Sequence, residues 1–185
     1  MTHNGIVLTG GGARAAYQVG VLRAISDMYP GSGHPFDVVV GTSAGAINAA
    51  AMAGGGSIFR HNVTHLENIW ANLTVDQVYH SGSMSIMRNM TQVARKLISG
   101  SKQRHTLSLL NNAPLRQLLE KELDFDAIHE AIEQGHLRAL GLNACGYTTG
   151  SNLCFFETCT DISSWNNGQR GGARTELSLD HVMAS

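Results

Sequence analysis

The sequence predicts an α/β fold built on a parallel sheet. Two apolar runs, 5–8 and 36–40, each end in a glycine turn, and each turn leads into a helix-favouring stretch. Strands that alternate with helices are joined by crossovers, and crossovers leave neighbouring strands parallel. The composition agrees. Of 185 residues, 43% are hydrophobic and 15% charged, which is too apolar for a disordered chain. A chain of this length is on the scale of one domain and buries a core without disulfide or metal staples.

The elements follow in order. Gly5-Ile6-Val7-Leu8 is a short apolar run stopped by Thr9 and three glycines, so it reads as a buried strand and a tight turn. From Ala15 to Met28, the residues Tyr17, Val21, Leu22 and Ile25 fall close to helical spacing, and Tyr29-Pro30-Gly31 ends the helix. Phe36 to Val40 reads as a second buried strand meeting Gly41. Ala46 to Ala53 is alanine-rich and helix-favouring, and Gly54-Gly55-Gly56 stops it. Residues 57–135 read as mostly helical. His65, Ile69 and Trp70 share a spacing, Ile86 to Ile98 carries an apolar stripe, and Leu115, Leu118, Leu119 and Leu123 follow Pro114 at a helix start. Ala127 to Gln134 is a further short helix. Leu137 to Thr148 and Leu153 to Thr158 read as a strand pair across Thr149-Gly150-Ser151-Asn152. Ser163 to Ala173 reads as a loop, and Leu179 to Ala184 begins a last helix.

Several classes of function are disfavoured. Thirteen basic and 14 acidic residues leave a net charge of −1, whereas a nucleic-acid binder needs a basic excess. The three cysteines, Cys145, Cys154 and Cys159, are odd in number and hold no CxxC pair. They read as buried reduced thiols of a cytosolic protein rather than a disulfide framework or zinc ribbon. Residues 1–5 show no basic n-region before an apolar stretch, so no secretory signal is read. The small-apolar run Ala44–Gly56 is interrupted by Asn48 and falls short of the roughly 18–20 residues of a spanning helix. The expected location is the cytoplasm, with any membrane contact peripheral.

Two glycine turns carry the chemistry. Gly10-Gly11-Gly12-Ala13-Arg14-Ala15 fits the dinucleotide pattern G-x-G-x-x-A. That pattern also wants an acid at the end of the second strand, and Asp37 stands at its start, so NAD binding is set aside. Gly41-Thr42-Ser43-Ala44-Gly45 is G-x-S-x-G with an apolar strand before it and a helix after it. That context is the one a nucleophile elbow requires. A strand turning sharply into a helix strains its central residue, and flanking glycines remove side chains that would collide. The alternative is that Ser43 only caps the helix. Serine acyl transfer also needs N–H donors aimed at an oxyanion. The Gly10–Gly12 loop can present bare N–H groups, and Arg14 can add positive potential.

These residues resemble the patatin-like phospholipase family. The likeness rests on Gly10-Gly11-Gly12-Ala13-Arg14, then Ala16-Tyr17-Gln18-Val19-Gly20-Val21-Leu22, then Gly41-Thr42-Ser43-Ala44-Gly45-Ala46-Ile47-Asn48. It is strongest over residues 5–50 and returns at 179–185. The resemblance implies a three-layer α/β/α fold around a mostly parallel sheet. It makes Ser43 the nucleophile and the Gly10, Gly11, Gly12, Ala13 loop the oxyanion hole, with Arg14, Gly41 and Gly45 in support. It implies a lipid or ester substrate, carboxylic-ester hydrolysis, and no metal or organic cofactor. Ala15 departs from the family, which usually has glycine there. The family's base is the aspartate of a D-G-[GA] motif, and this sequence holds no Asp-Gly pair. Residues 1–185 are therefore expected to be the N-terminal portion of a single patatin-like domain, ending before that aspartate. The alternative function is a non-catalytic lipid- or partner-binding module on the same fold.

Other candidates are weaker. His181 falls late in the chain, as a hydrolase histidine would, but early in a helix. Asp161 lies beside a polar loop. His61 and His65 share a helix face, and with Glu67 form an incomplete metal pattern; surface histidines are the simpler reading. From Gln77 to Arg116 there are six basic residues and no acid, with Met84, Met87 and Met90 among them. Such a stretch can lie on an anionic lipid surface or cover an acyl cleft. The six acids from Glu120 to Glu133 that follow favour a packed helix with a solvated basic face.

Overall fold

The computed structural model describes residues 3–29, 31, 33–74, 112–146 and 149–185. The chain divides into two compact units, Met1–Ala71 with Glu122–Ser185, and Asn72–Lys121. Helix α4, Ala113–Glu122, belongs to the second unit except for its last residue. Pro114 stands near its start, where a missing N–H costs nothing. The i,i+4 pair Arg116–Glu120, at 3.3 Å, lies on its surface.

The first unit opens with β1 (Gly5–Leu8), a 3₁₀ turn (Gly12–Ala15), α1 (Ala16–Met28), β2 (Val38–Thr42), α2 (Ala44–Gly54) and α3 (Phe59–Asn72). After the second unit come α5 (Phe125–Glu133), β3 (Ala139–Cys145), β4 (Asn152–Thr158), β5 (Trp165–Asn167), β6 (Arg170–Arg174) and α6 (Leu179–Ala184). The strands form one six-stranded sheet in the order β1-β2-β3-β4-β6-β5. Pairs β1/β2, β2/β3 and β4/β6 are parallel, and β3/β4 and β5/β6 antiparallel. A mixed, mostly parallel sheet with helices packed on it is the three-layer α/β arrangement expected.

The core forms where α2 meets the sheet. Leu8, Val39, Leu140 and Leu142 share one sheet face, and all are buried. Ala46, Ala49 and Ala50 of α2 are fully buried. Alanine lets the helix axis approach closely, so the apolar gain comes from the leucines and valines, about 2 kcal/mol for each fully buried one. Asp124 caps α5, its Oδ1 accepting the Ala127 N–H at 3.0 Å.

Four expectations are corrected. β1 is an edge strand rather than a buried one, and Val7 is 68% exposed. β2 runs two residues later than the apolar run suggested. Phe36 instead packs edge-on against Phe59, ring centroids 5.8 Å apart, and Gly41 and Thr42 join the strand. The stretch read as a loop over 163–173 contains the hairpin β5/β6. Its signal was hidden because Arg170-Gly-Gly-Ala-Arg174 has no apolar alternation. The glycines there make room: a Cβ on Gly172 would collide with the Trp165 indole, 2.6 Å from its Cε2, and Gly168 turns the chain at φ +65°. The cysteines are free, but Cys145 and Cys159 are exposed rather than buried. Only Cys154 is half-buried, and burial pushes its thiol pKa up. Among the described residues, no helix is long and apolar enough to cross a membrane.

Candidate functional site

Ser43 occupies the single residue between β2 and α2. Its backbone sits at φ 56°, ψ −127°, and it is the one non-glycine residue with positive φ among those described. Such a conformation costs about 1–3 kcal/mol and persists only where surroundings enforce it. The surroundings are the flanking glycines. A Cβ on Gly41 would stand 2.6 Å from Ala46 Cα and 2.7 Å from Ala49 Cβ. A Cβ on Gly45 would stand 2.6 Å from the Leu8 carbonyl carbon and 2.7 Å from Thr9 O. The turn is therefore packed too tightly for any side chain at either flank. Ser43 itself remains exposed.

The polar groups of the elbow are tied down. Ser43 O accepts the N–H groups of Ala46 at 2.8 Å and Ile47 at 3.4 Å, which starts α2. The Ser43 N–H donates to Ser185 Oγ at 2.7 Å. That hydroxyl donates to Asn143 O at 2.5 Å, and Asn143 Nδ2 donates to Thr42 Oγ1 at 3.1 Å. So the ends of β2, β3 and α6 converge on the elbow.

The Gly10–Gly12 loop lies against it. A Cβ on Gly10 would be 3.1 Å from Ser43 Cβ and 3.9 Å from Ser43 Oγ. The loop then folds into the 3₁₀ turn, with Gly12 at φ +55° and Arg14 N–H donating to Gly11 O at 3.1 Å. The opening N–H groups of such a turn, those of Gly12 and Ala13, have no acceptor within it. Gly10, Gly11, Gly12, Ala13 and Arg14 are all exposed. Arg14 has its N–H committed to the turn, so its guanidinium is what it can offer. Ala15, the departure from the family pattern, is 1% exposed; its methyl is absorbed into the packing.

The other candidates lie in different surroundings. His181 is the N3 residue of α6, and its Nδ1 accepts the Ser178 N–H at 3.0 Å. Its ring packs on Phe155, centroids 4.6 Å apart. Accepting at Nδ1 leaves the neutral ring protonated at Nε2, a donor rather than a base. Asp161 is exposed in the segment after β4. His61 is exposed, and His65 Nε2 lies 3.0 Å from Glu122 O. Among the described residues, no group of three or more side chains could hold a metal. Of the basic methionine-containing stretch, 77–111 lies outside the described residues. Sequence reasoning missed Asn48, a fully buried amide at the loop's base. Its signal was one polar residue inside an alanine-rich helix.

The family model for patatin-like phospholipase matches residues 6–185, which includes both glycine turns. The chain belongs to the patatin-like phospholipase family. At family level this is a lipid acyl hydrolase fold. A 49-residue stretch of this patatin-like chain, 26% of it, is 49% identical to Lysophospholipase nte1 of Aspergillus terreus (strain NIH 2624 / FGSC A1156). The aligned stretch spans about 3% of that relative. No solved structure matches the chain.

Proposed function

We propose that this chain carries the nucleophile and the oxyanion hole of a serine lipid acyl hydrolase. The observation that supports it most is the strained, exposed Ser43 with the Gly10 backbone against its side chain. In this reading Ser43 Oγ attacks the carbonyl carbon of a lipid ester. The carbonyl oxygen becomes an oxyanion, held by N–H groups of Gly11, Gly12 and Ala13. Gly10 has no side chain, so the substrate can come close. Removing one such donor from a serine hydrolase slows turnover by about 10²–10³. The start of α2 adds its dipole, and Arg14 adds positive potential. Collapse of the tetrahedral intermediate expels the alcohol and leaves an acyl-serine, which water then hydrolyses. The proton of Ser43 needs a base, and the family assigns that role to the aspartate of a D-G-[GA] motif. Residues 1–185 are then the N-terminal portion of the patatin-like domain. The reaction needs no cofactor, and its substrate class places the protein at membranes peripherally.

The test is hydrolysis of a short-chain nitrophenyl ester by the full-length protein and by Ser43→Ala. Turnover lost by about 10³ or more in the variant is expected. Equal rates would sink the reading.

A further inference from the structure

Asn48 lies on α2, five positions after Ser43, and its side chain is fully buried. A buried amide has to find a partner for each of its polar groups. Nδ2 donates to Ala15 O at 3.2 Å and to Gln18 Oε1 at 3.0 Å. Oδ1 accepts the Trp70 Nε1–H at 2.7 Å. Gln18 Nε2 passes the link on, donating to Thr9 O at 2.7 Å. Thr9 and Ala15 are the residues on either side of the Gly10–Arg14 segment.

We propose that Asn48 is a positioning residue that clamps both ends of the glycine loop to the helix carrying Ser43. One end is held directly at Ala15, the other through Gln18 at Thr9. The orientation of the amide is fixed by chemistry. Indole nitrogen only donates, so Oδ1 must face Trp70 and Nδ2 must face the loop. The clamp answers a physical need. A run of three glycines has more backbone freedom than any other tripeptide. Oxyanion donors act only if they already stand where the charge develops, within about 0.5 Å. Anchoring the loop to α2 gives donors and nucleophile one frame of reference. The catalytic consequence rests on the serine-hydrolase reading; the clamp itself does not.

The experiment compares Asn48→Asp, Gln18→Ala and Trp70→Phe in the full-length protein. Asn48→Asp keeps the shape but sets oxygen against Ala15 O and Gln18 Oε1. Gln18→Ala cuts only the Thr9 branch and leaves the buried amide in place. Trp70→Phe removes the donor remote from the loop. Hydrogen exchange of the turn is followed at the Arg14 amide, which donates to Gly11 O, with β3 as an internal reference. Exchange is expected to rise about tenfold in Asn48→Asp and about threefold in Gln18→Ala, and to stay within about twofold in Trp70→Phe. Alongside, kcat for the nitrophenyl ester falls by about tenfold or more in Asn48→Asp, with KM within about twofold, because the lost interaction belongs to the transition state. Turn exchange equal to wild type in both Asn48→Asp and Gln18→Ala overturns the clamp. If Asn48→Asp does not fold, Gln18→Ala decides. Faster turn exchange in a protein whose Ser43→Ala variant hydrolyses normally keeps the clamp and removes the hydrolase reading. Faster turn exchange with unchanged kcat, where Ser43→Ala abolishes hydrolysis, overturns the positioning role.

Discussion

A Cβ on Gly45 would run into the Leu8 and Thr9 carbonyls at 2.6 and 2.7 Å, whereas a Cβ on Gly12 would meet nothing within 4 Å. The two glycine turns are similar as strings, yet glycine is needed in each for a different reason. At the elbow the backbone of α2 lies against the end of β1, and only hydrogen fits between them. In the loop there is open space, and the requirement is the backbone angle, φ +55° at Gly12. One turn is defined by crowding and the other by conformation. That suits their proposed tasks. A nucleophile has to be held rigidly in a strained pose, and an oxyanion loop has to stay open to a substrate. The third cluster, 54–56, mixes both. Gly54 and Gly55 are crowded by Asp124 O, 2.8 Å from a Cβ, and by Asn62 Cγ, 2.6 Å, while Gly56 has φ +79°. It is more than the helix stop that the sequence suggested.

The contrast breaks most visibly at Gly45. Gly45→Ala is expected to destabilise by about 3 kcal/mol or to prevent folding, because the collision is with main chain that cannot rotate away. Urea unfolding measures it, and a loss below about 1 kcal/mol would show that β1 yields easily. Ser43→Gly sharpens the same point with the opposite sign. Relief of the φ 56° strain exceeds the entropy lost by glycine, for a net gain of about 1 kcal/mol. Ser43→Ala keeps the strain and stays near wild type. If both variants have equal stability, the elbow stores no strain.

At Gly12 the cost is conformational. Gly12→Ala is expected to lose about 1 kcal/mol, the usual penalty of left-handed backbone for a residue with a Cβ. Gly12→Asn loses less, because asparagine tolerates that region. Equal losses for Ala and Asn, measured by the same unfolding curves, would point to a hidden clash and erase the difference between the two turns.

How much of this was legible follows the same division. Local signals read well. The G-x-S-x-G string with its flanking strand and helix pointed to the β2–α2 turn, and the alternation of elements pointed to the parallel pairing of β1, β2 and β3. Features created by distant packing did not read. Nothing local to Gly45 says that Leu8 passes over it. Nothing in Arg170-Gly-Gly-Ala-Arg174 says that Trp165 lies across it. Val7 looked buried because apolarity does not reveal which strand forms an edge. Asn48 was the intermediate case: its polarity was visible, but its partners at Ala15, Gln18 and Trp70 are 33, 30 and 22 positions away.

Crowding also acts on protons. His34 packs edge-on against Phe59 and Phe36, with centroids 5.2 and 5.9 Å away. Burial pushes its imidazole below the ordinary histidine value, against the raising effect of the Phe36 carbonyl. The unfolded chain then binds a proton that the folded protein resists, so stability is whole above about pH 6.5 and declines as pH falls below it. Asp27 and Asp37 are shifted down, Asp27 by Arg23 and Arg60 and Asp37 by the Asn4 N–H. Their contribution is present above the ordinary carboxylate range of about 4 and fades only below it. The two effects therefore separate along the pH axis. Thermal melts from pH 7.5 to 5.5 are expected to show a declining Tm, the smallest of the effects described. His34→Asn, whose amide N–H can still donate to the Phe36 carbonyl, flattens that portion and leaves the acid limb near pH 4. A melt series in which His34→Asn declines in parallel with wild type would mean that crowding around His34 does not resist the proton as crowding around Gly45 resists a methyl.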